Sequence, residues 1–418
     1  MASAVAFGDR VLRERSRLFS PTSAIGDEQN RSRWRLSQPL ASAGYLLSLD
    51  DYTIDSPDRR CVPTHVECVI DKENSFAKAL VHFPHAAEAQ LACWSLFRQH
   101  PALTPRFSLA SGIKFGDSAW TIGLMRLINA SVAPRGRKRS ADCAVRGRLR
   151  RLRTGWTGSE QAWLVGRADA TELQNRLFVG QALTGGPKAE RPTVAGLPVR
   201  VGLVNRKGSR RIVDADKAMA ALARALAARE IATLSYMSDL GDLGFEEQAQ
   251  WVHAQDILLS PHGAQNVNFL WARPCTAIVE FFPKHYFIPG EYLQLARAVG
   301  AVAFAAYKGP VDPYADTALA LGEGRRAYGY RRRARYGQLS LGWNGGWNGS
   351  FTDAMLKGLL EARAACLATH GANDSSWARH DLGQPTQQRH LMPHLSTFRT
   401  LPQQGMPRTH QLRDEIFG

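Results

Sequence analysis

The chain has 418 residues, 44% of them hydrophobic, which is enough to bury a sizeable core in two domains. No apolar run is long enough to cross a bilayer, and the opening stretch MASAVAFGDRVLRERSRLF lacks the apolar centre of a secretory signal, so the chain reads as soluble. The formal net charge of +16, with arginine far outnumbering lysine, fits either a codon bias towards Arg and Ala or attraction for anions such as nucleotide phosphates, acidic glycans or nucleic acid.

Six cysteines are scattered with no C-x-x-C pair, which argues against a structural zinc site. Cys61 and Cys68 are close enough for a disulfide in an oxidising compartment. Buried single cysteines otherwise read as small apolar residues. Asn-x-Ser sequons start at Asn30, Asn129, Asn348 and Asn373, and they matter only in a secretory pathway.

In chain order, residues 1–56 are polar, Arg-rich and patternless and read as a loose segment. Residues 57–190 form a first domain. His65 to Ile70 alternates as a strand does, Ala79 to Val81 is a second apolar piece, and a helix is expected from Ala86 to about Gln99. Trp120 to Ile128 reads as a strand or a buried helix. Residues 135–153 carry a broken arginine run. They read as a solvated flexible insertion, with a polyanion-binding patch as the alternative, and few aromatics interleave with it. Leu177 to Gly180 looks like a short strand end, and the turn-rich stretch from Gly185 to Pro192 marks the domain boundary.

Residues 191–370 are more regular. Val199 to Val204 is a strand, followed by the basic, Gly-containing turn Asn205 to Arg211. Asp214 is placed to cap an Ala-rich helix through Ala228, and Ile231 to Tyr236 is a strand. Glu246-Glu247-Gln248 opens a helix through His253. Ile257 to Leu259 is an apolar strand that stops at Ser260-Pro261, and a polar turn and short helix follow up to Pro274. Ala277 to Val279 is a strand ending on Glu280. Tyr292 to Val299 is a helix ended by Gly300, and Val302 to Tyr307 is a strand. Strands alternating with helices at this spacing argue for a parallel doubly wound α/β domain. Beyond Lys308 come the basic, aromatic Tyr328 to Tyr336, a loop from Trp343 to Asn348 and an amphipathic helix from Thr352 to about Thr369. Residues 371–418 read as a disordered tail.

Three signals gather in the regular domain. Arg206, Arg210 and Arg211 follow its first strand, where arginines beside backbone N–H groups make an anion site. In Ser260-Pro261-His262-Gly263-Ala264, the glycine admits a ligand to the backbone and the following helix start faces a phosphate. Glu280 is a lone carboxylate ending an apolar strand, where acidic residues of nucleotide-binding domains take a ribose diol. Ligands of parallel sheets lie beyond the carboxyl ends of the strands, where all three fall.

The order of these motifs resembles the glycosyltransferase family 61 domain. They are Val204 to Ile212, Glu247-Gln248, Asp256 to Ala264, Asn268, Ile278 to Pro283, and Tyr292 before Ala296. The resemblance is good from about Val199 to Tyr307, and Phe178-Val179-Gly180 and His82-Phe83 correspond to landmarks upstream. It implies a GT-B-like fold, two Rossmann-like domains facing across a cleft, with a UDP-sugar held by the second. It also implies an inverting transfer that needs no cofactor and no DxD metal site. Asp214-Ala215-Asp216 is better explained by helix capping.

By analogy Arg206 and Arg210 contact the diphosphate. Ser260, His262, Gly263 and Ala264 line the donor site, and Glu280 holds the ribose. The helix from Thr352 crosses back to the first domain. A base is also needed to deprotonate the acceptor hydroxyl of a glycan or glycoprotein, and His82, His85 and Glu88 at the start of the first-domain helix are the candidates. The family's setting is the lumen of the Golgi or endoplasmic reticulum. Gln265, where the family has a small residue, and the insertion at 135–153 depart from the pattern.

Two rival readings stand beside this one. A non-enzymatic polyanion binder would use residues 135–153 and Arg331 to Arg335 and bind heparin or nucleic acid with steep salt dependence. A catalytically dead family member would bind nucleotide only. The ordered donor-type motifs favour the enzyme over a polyanion binder, which has no use for them.

Overall fold

The computed structural model describes residues 34–36, 52–55, 62–70, 77–133, 144–149, 164, 167–183, 199–208, 210–229, 232–283, 287, 289–308 and 349–370. Strand β1 (Trp34–Leu36) comes first in the chain and joins the second of two sheets. The first sheet holds β2 (Tyr52–Asp55), β3 (His65–Ile70), β4 (Thr104–Leu109), β5 (Ser131–Val132) and β6 (Ala144–Leu149), in the order β2-β6-β3-β4-β5. All its pairings are parallel except β2 on β6. The second sheet holds β7 (Val199–Val204), β8 (Ala232–Met237), β9 (Ile257–Pro261), β10 (Ala277–Phe282) and β11 (Val302–Lys308), in the order β1-β11-β10-β9-β7-β8, with only β1 antiparallel. Two parallel α/β sheets are the GT-B-like architecture that the motif order implies.

Helices are α1 (Phe83–Arg98), α2 (Ala119–Leu127), α3 (Arg167–Leu183), α4 (Ala215–Ala227), α5 (Phe245–His253), α6 (Leu293–Ala298) and α7 (Gly349–His370). Pro84 sits in the first turn of α1, where its missing N–H leaves no bond unmade. From Ala86 to Phe97 α1 is buried on every side, because it packs on β3 and β6 below and on the turn at Ala264–Trp271 above. The second sheet sorts its residues by parity. Val201, Leu203, Ile257, Leu259, Val279 and Phe281 face α4 and α7, while Leu258, Ile278 and Phe282 face the first domain.

The two halves share one continuous apolar core. Trp120 of α2 packs edge-on against Phe245 of α5 at 5.7 Å, and Phe245 packs edge-on against Trp271 at 5.5 Å. The Trp120 Nε1–H donates to Asn268 Oδ1 at 3.1 Å, and Asn268 Nδ2 donates to Gln248 Oε1 at 2.9 Å. Helix α3 adds Gln174, whose amide donates to the carbonyls of Leu270 and Ala272, and Phe178, which stacks on His253 at 4.0 Å.

Several expectations from sequence need correction. The N-terminal segment is not wholly loose, since Trp34–Leu36 and Tyr52–Asp55 each add an antiparallel edge strand. The basic insertion at 135–153 contains β6, an internal strand, where Arg146 is paired with Glu67 at 2.9 Å. Leu177 to Gly180 lies inside α3. Asp214 occupies the cap position of α4 without a side-chain bond to the helix, its carboxylate lying 3.8 Å from Lys217. Among the described residues the cysteine pairs are Cys68–Cys93 and Cys275–Cys366, so Cys68 is not paired with Cys61.

Helix α7 packs mainly on α4, β10 and β11 rather than crossing back. Arg363 joins Arg273 on Asp256, and the Cys275–Cys366 bridge pins the helix to the second domain. The stretches Gly185 to Pro192, Tyr328 to Tyr336 and Trp343 to Asn348 and the tail from Gly371 lie outside the described residues. Among those described, no helix is long and apolar enough to cross a membrane.

A Cβ on Gly123 of α2 would run into the Phe245 ring at the domain junction. Gly123→Ala is therefore expected to destabilise the fold by about 1–3 kcal/mol, despite alanine's better helix propensity. The midpoint and slope of urea denaturation check this.

Candidate functional site

The second sheet reverses its direction of growth between β7 and β9. From β7 the chain moves outward to β8, then returns to the other side of β7 for β9, β10 and β11. At such a switch point the loops after the two flanking strands part and leave a crevice for a ligand. Here those loops begin with Asn205-Arg206 and His262-Gly263.

Asn205 shapes the first loop. Its Nδ2 donates to the Ile212 carbonyl at 3.0 Å and its Oδ1 accepts from the Ile212 N–H at 2.8 Å, so one side chain closes the turn from 205 to 212. Gly208 and Arg210 take left-handed backbone (φ 83° and 62°), and the loop displays Arg206 and Arg210 towards the crevice. Arg206 Nη1 donates to the His262 carbonyl at 2.8 Å, joining the two loops. The guanidinium lies against the bare Cα of Gly263, and a Cβ there would collide with it.

His262 is buried under this lid. Its Nδ1 lies 2.7 Å from Glu280 Oε1, and Asn266 Nδ2 donates to the same oxygen at 2.8 Å. Asn266 is oriented in turn by Ser260, whose hydroxyl donates to Asn266 Oδ1 at 2.6 Å. In the tautomer with its hydrogen on Nδ1, His262 donates to this oxygen and Nε2 carries the lone pair. Burial pushes Glu280 well above the usual carboxylate range, and burial followed by the charges of Arg210 and Arg206 pushes His262 well below the usual imidazole range. The interior therefore favours the uncharged form of both. The His262 ring packs, tilted, against Phe282 and Tyr292 at 5.1 and 5.3 Å.

The first domain contributes the start of α1. The rings of His82 and His85 are 5.6 Å apart, and His85 Nδ1 lies 3.8 Å from Glu88. His82 keeps an open edge to solvent. Its protein surroundings, then the charges of His85, Arg210 and Arg206, lower its pKa to about 4, so it is neutral at pH 7. Burial also lowers His85, against an opposing pull from Glu291. Glu291 stands between the domains, with Oε2 3.5 Å from His262 Nε2, and burial first of all raises its pKa to about 7.

His82, His85, Arg206, Arg210, His262 and Gly263 thus meet in one place. Three expected site residues sit differently. Glu280 is interior to β10 and fully buried beneath His262, so it orients that ring and does not reach a ribose in the crevice. Ser260 is buried in the Asn266 network and does not line the crevice. Glu88 lies at 0% exposure under His85, where no acceptor hydroxyl reaches it. Ala264 opens the turn at Ala264–Trp271 that carries Asn266 and Asn268.

A family model described as Glycosyltransferase 61 matches residues 74–279. The described part of that stretch runs from just before α1 into β10 and takes in both arginines, His262 and the histidines of α1. The stretch 74–279 thus resembles a Glycosyltransferase 61 domain. The match gives the chain its class, a glycosyltransferase. No curated protein matches it. Among solved structures, it is similar to the bacterial iron-containing dodecameric glycosyltransferase TibC from enterotoxigenic E. coli H10407, at 10% identity and a TM-score of 0.30, over 74% of this chain and 81% of that one.

Asn205, Asn266 and Glu291 were not singled out from sequence. The first two act through loop-closing bonds that only the folded loops reveal. Glu291 follows Pro289-Gly290, a turn signal on which pattern reading placed no chemistry.

Gly263→Ala is expected to leave the fold within about 1 kcal/mol of wild type, because the colliding atom ends a flexible side chain. It should also drive Arg206 off the His262 carbonyl. Unchanged thermal stability with weakened anion binding checks this.

Proposed function

We propose that the chain is an inverting glycosyltransferase that moves a sugar from a UDP-linked donor to a hydroxyl of a glycan or glycoprotein. The observation that carries this reading is the pair Arg206 and Arg210 displayed at the switch point beside His262, inside a Glycosyltransferase 61 domain. In the reaction, the acceptor oxygen bonds to the anomeric carbon from the face opposite the leaving group. The bond from that carbon to the diphosphate oxygen breaks, and its electron pair leaves on UDP.

Negative charge therefore grows on the diphosphate, and two preorganised guanidiniums stabilise it most in the transition state. This division of labour asks for no metal or cofactor. Gly263 leaves room for the Arg206 guanidinium beside the phosphate. The acceptor enters from the first domain, past His82 and His85. The disulfides Cys68–Cys93 and Cys275–Cys366 suit folding in an oxidising compartment, where secreted glycoproteins are modified.

The reading is tested with UDP by calorimetry. Wild type is expected to bind, and Arg206→Ala or Arg210→Ala should each weaken binding tenfold or more, about 1.5–3 kcal/mol for a lost charge-assisted contact. Undiminished binding in both variants contradicts it. A thermal-shift panel of UDP-sugars then selects the donor.

A further inference from the structure

We propose that Glu291 is the general base that takes the proton from the acceptor hydroxyl, with His262 and Glu280 positioned behind it. This rests on the glycosyltransferase reading above and names the group which that reading left open.

A base in this reaction must lie between the arginines that hold the leaving group and the domain that admits the acceptor. Glu291 meets that condition. It stands on the turn before α6 in the second domain, within the electrostatic reach of Arg210, and His85 and Glu88 of α1 face it from the first domain. It is also the most open of the three carboxylates in the cluster. Its side chain is 13% exposed, against 1% for Glu88 and 0% for Glu280. That opening is the side from which an acceptor hydroxyl would approach Glu291, and Glu88 and Glu280 offer none.

The groups behind Glu291 suit a proton acceptor. His262 Nδ1 lies 2.7 Å from Glu280 Oε1 and Nε2 lies 3.5 Å from Glu291 Oε2; with the ring hydrogen on Nδ1, Nε2 presents a lone pair to Glu291. Once Glu291 has taken the proton, that lone pair accepts from the new carboxyl O–H. Tyr292 bonds to the carboxylate form, and Arg210 favours it as well, so the group is not locked in its protonated state. A nucleophile or base held by a second group, itself oriented by a third, is a recurring catalytic arrangement.

The rival histidine is less well matched. His82 has a pKa lowered to about 4, while burial, His85, Arg210, Glu88 and Tyr292 together leave Glu291 near 7, close to a neutral operating pH. The step balances: the hydroxyl proton passes to Glu291, the oxygen bonds to the anomeric carbon, and UDP leaves with the electron pair.

The test uses the full chain, calorimetry with UDP, and release of UDP from a panel of UDP-sugars with water and simple sugars as acceptors. Glu291→Gln is expected to bind UDP within threefold of wild type and to lose 10²- to 10⁴-fold in turnover, the usual contribution of a general base. Wild-type kcat/KM should rise with pH through about 7, because the base must be ionised. Glu291→Gln should lose that limb, and Glu291→Asp should regain part of the rate.

Glu291→Gln turning over within threefold of wild type, or keeping the limb near pH 7, overturns the proposal. So does a wild type that binds UDP but releases none from any donor. A wild type that does not bind UDP sinks the functional reading itself, which distinguishes the two failures. Circular dichroism of Glu291→Gln separates lost catalysis from lost fold, and a misfolded Glu291→Gln passes the decision to the pH profile of Glu291→Asp.

Discussion

A guanidinium laid across a glycine holds this site together. Arg206 leaves the end of β7, passes over Gly263 and bonds to the carbonyl of His262 at the end of β9. That one contact joins the two loops that flank the crevice where the second sheet changes direction. It depends on Asn205 to shape its loop and on the missing side chain at 263 to give it room. It also adds to the charge of the site: burial lowers the pKa of His262 and, with His85, that of His82, and Arg210 and Arg206 lower both further.

Beneath the lid the protein solves a desolvation problem. A carboxyl and an imidazole are buried together, and an unpaired buried charge is expensive. The structure spends Asn266, Ser260 and the ring faces of Phe282 and Tyr292 on keeping His262 and Glu280 neutral, oriented and bonded. The junction of Trp120, Phe245 and Trp271 then brings α1 against this assembly. The two domains share one apolar core, so the position of His85 relative to Glu291 is set by packing as much as by local sequence.

The second domain was legible in the sequence because its strands are apolar runs punctuated by polar turns. Ile257 to Leu259, the turn at His262 and the strand from Ala277 announce themselves within a few residues. The site arginines were legible for the same reason, as cations directly after a strand. Glu280 was misjudged because an apolar run broken by a carboxylate looks like a strand end, whereas β10 continues through Phe281 and Phe282. Its burial is explained only by Asn266 and His262, which are distant in sequence.

The basic run hid β6, since an interior strand with Arg146 needs Glu67 of a neighbouring strand to make sense of it. The cysteine pairs among the described residues span 25 and 91 residues, and for Cys68 spacing alone favours the nearer, wrong partner. Helix α7 was readable as a helix, but its docking place is fixed by Asp256 and Cys275. The most direct test of the central claim is the electron density of crystals soaked with UDP. The account predicts a diphosphate between Arg206 and Arg210 above His262 and Gly263. Nucleotide bound elsewhere, with that crevice empty, would contradict it.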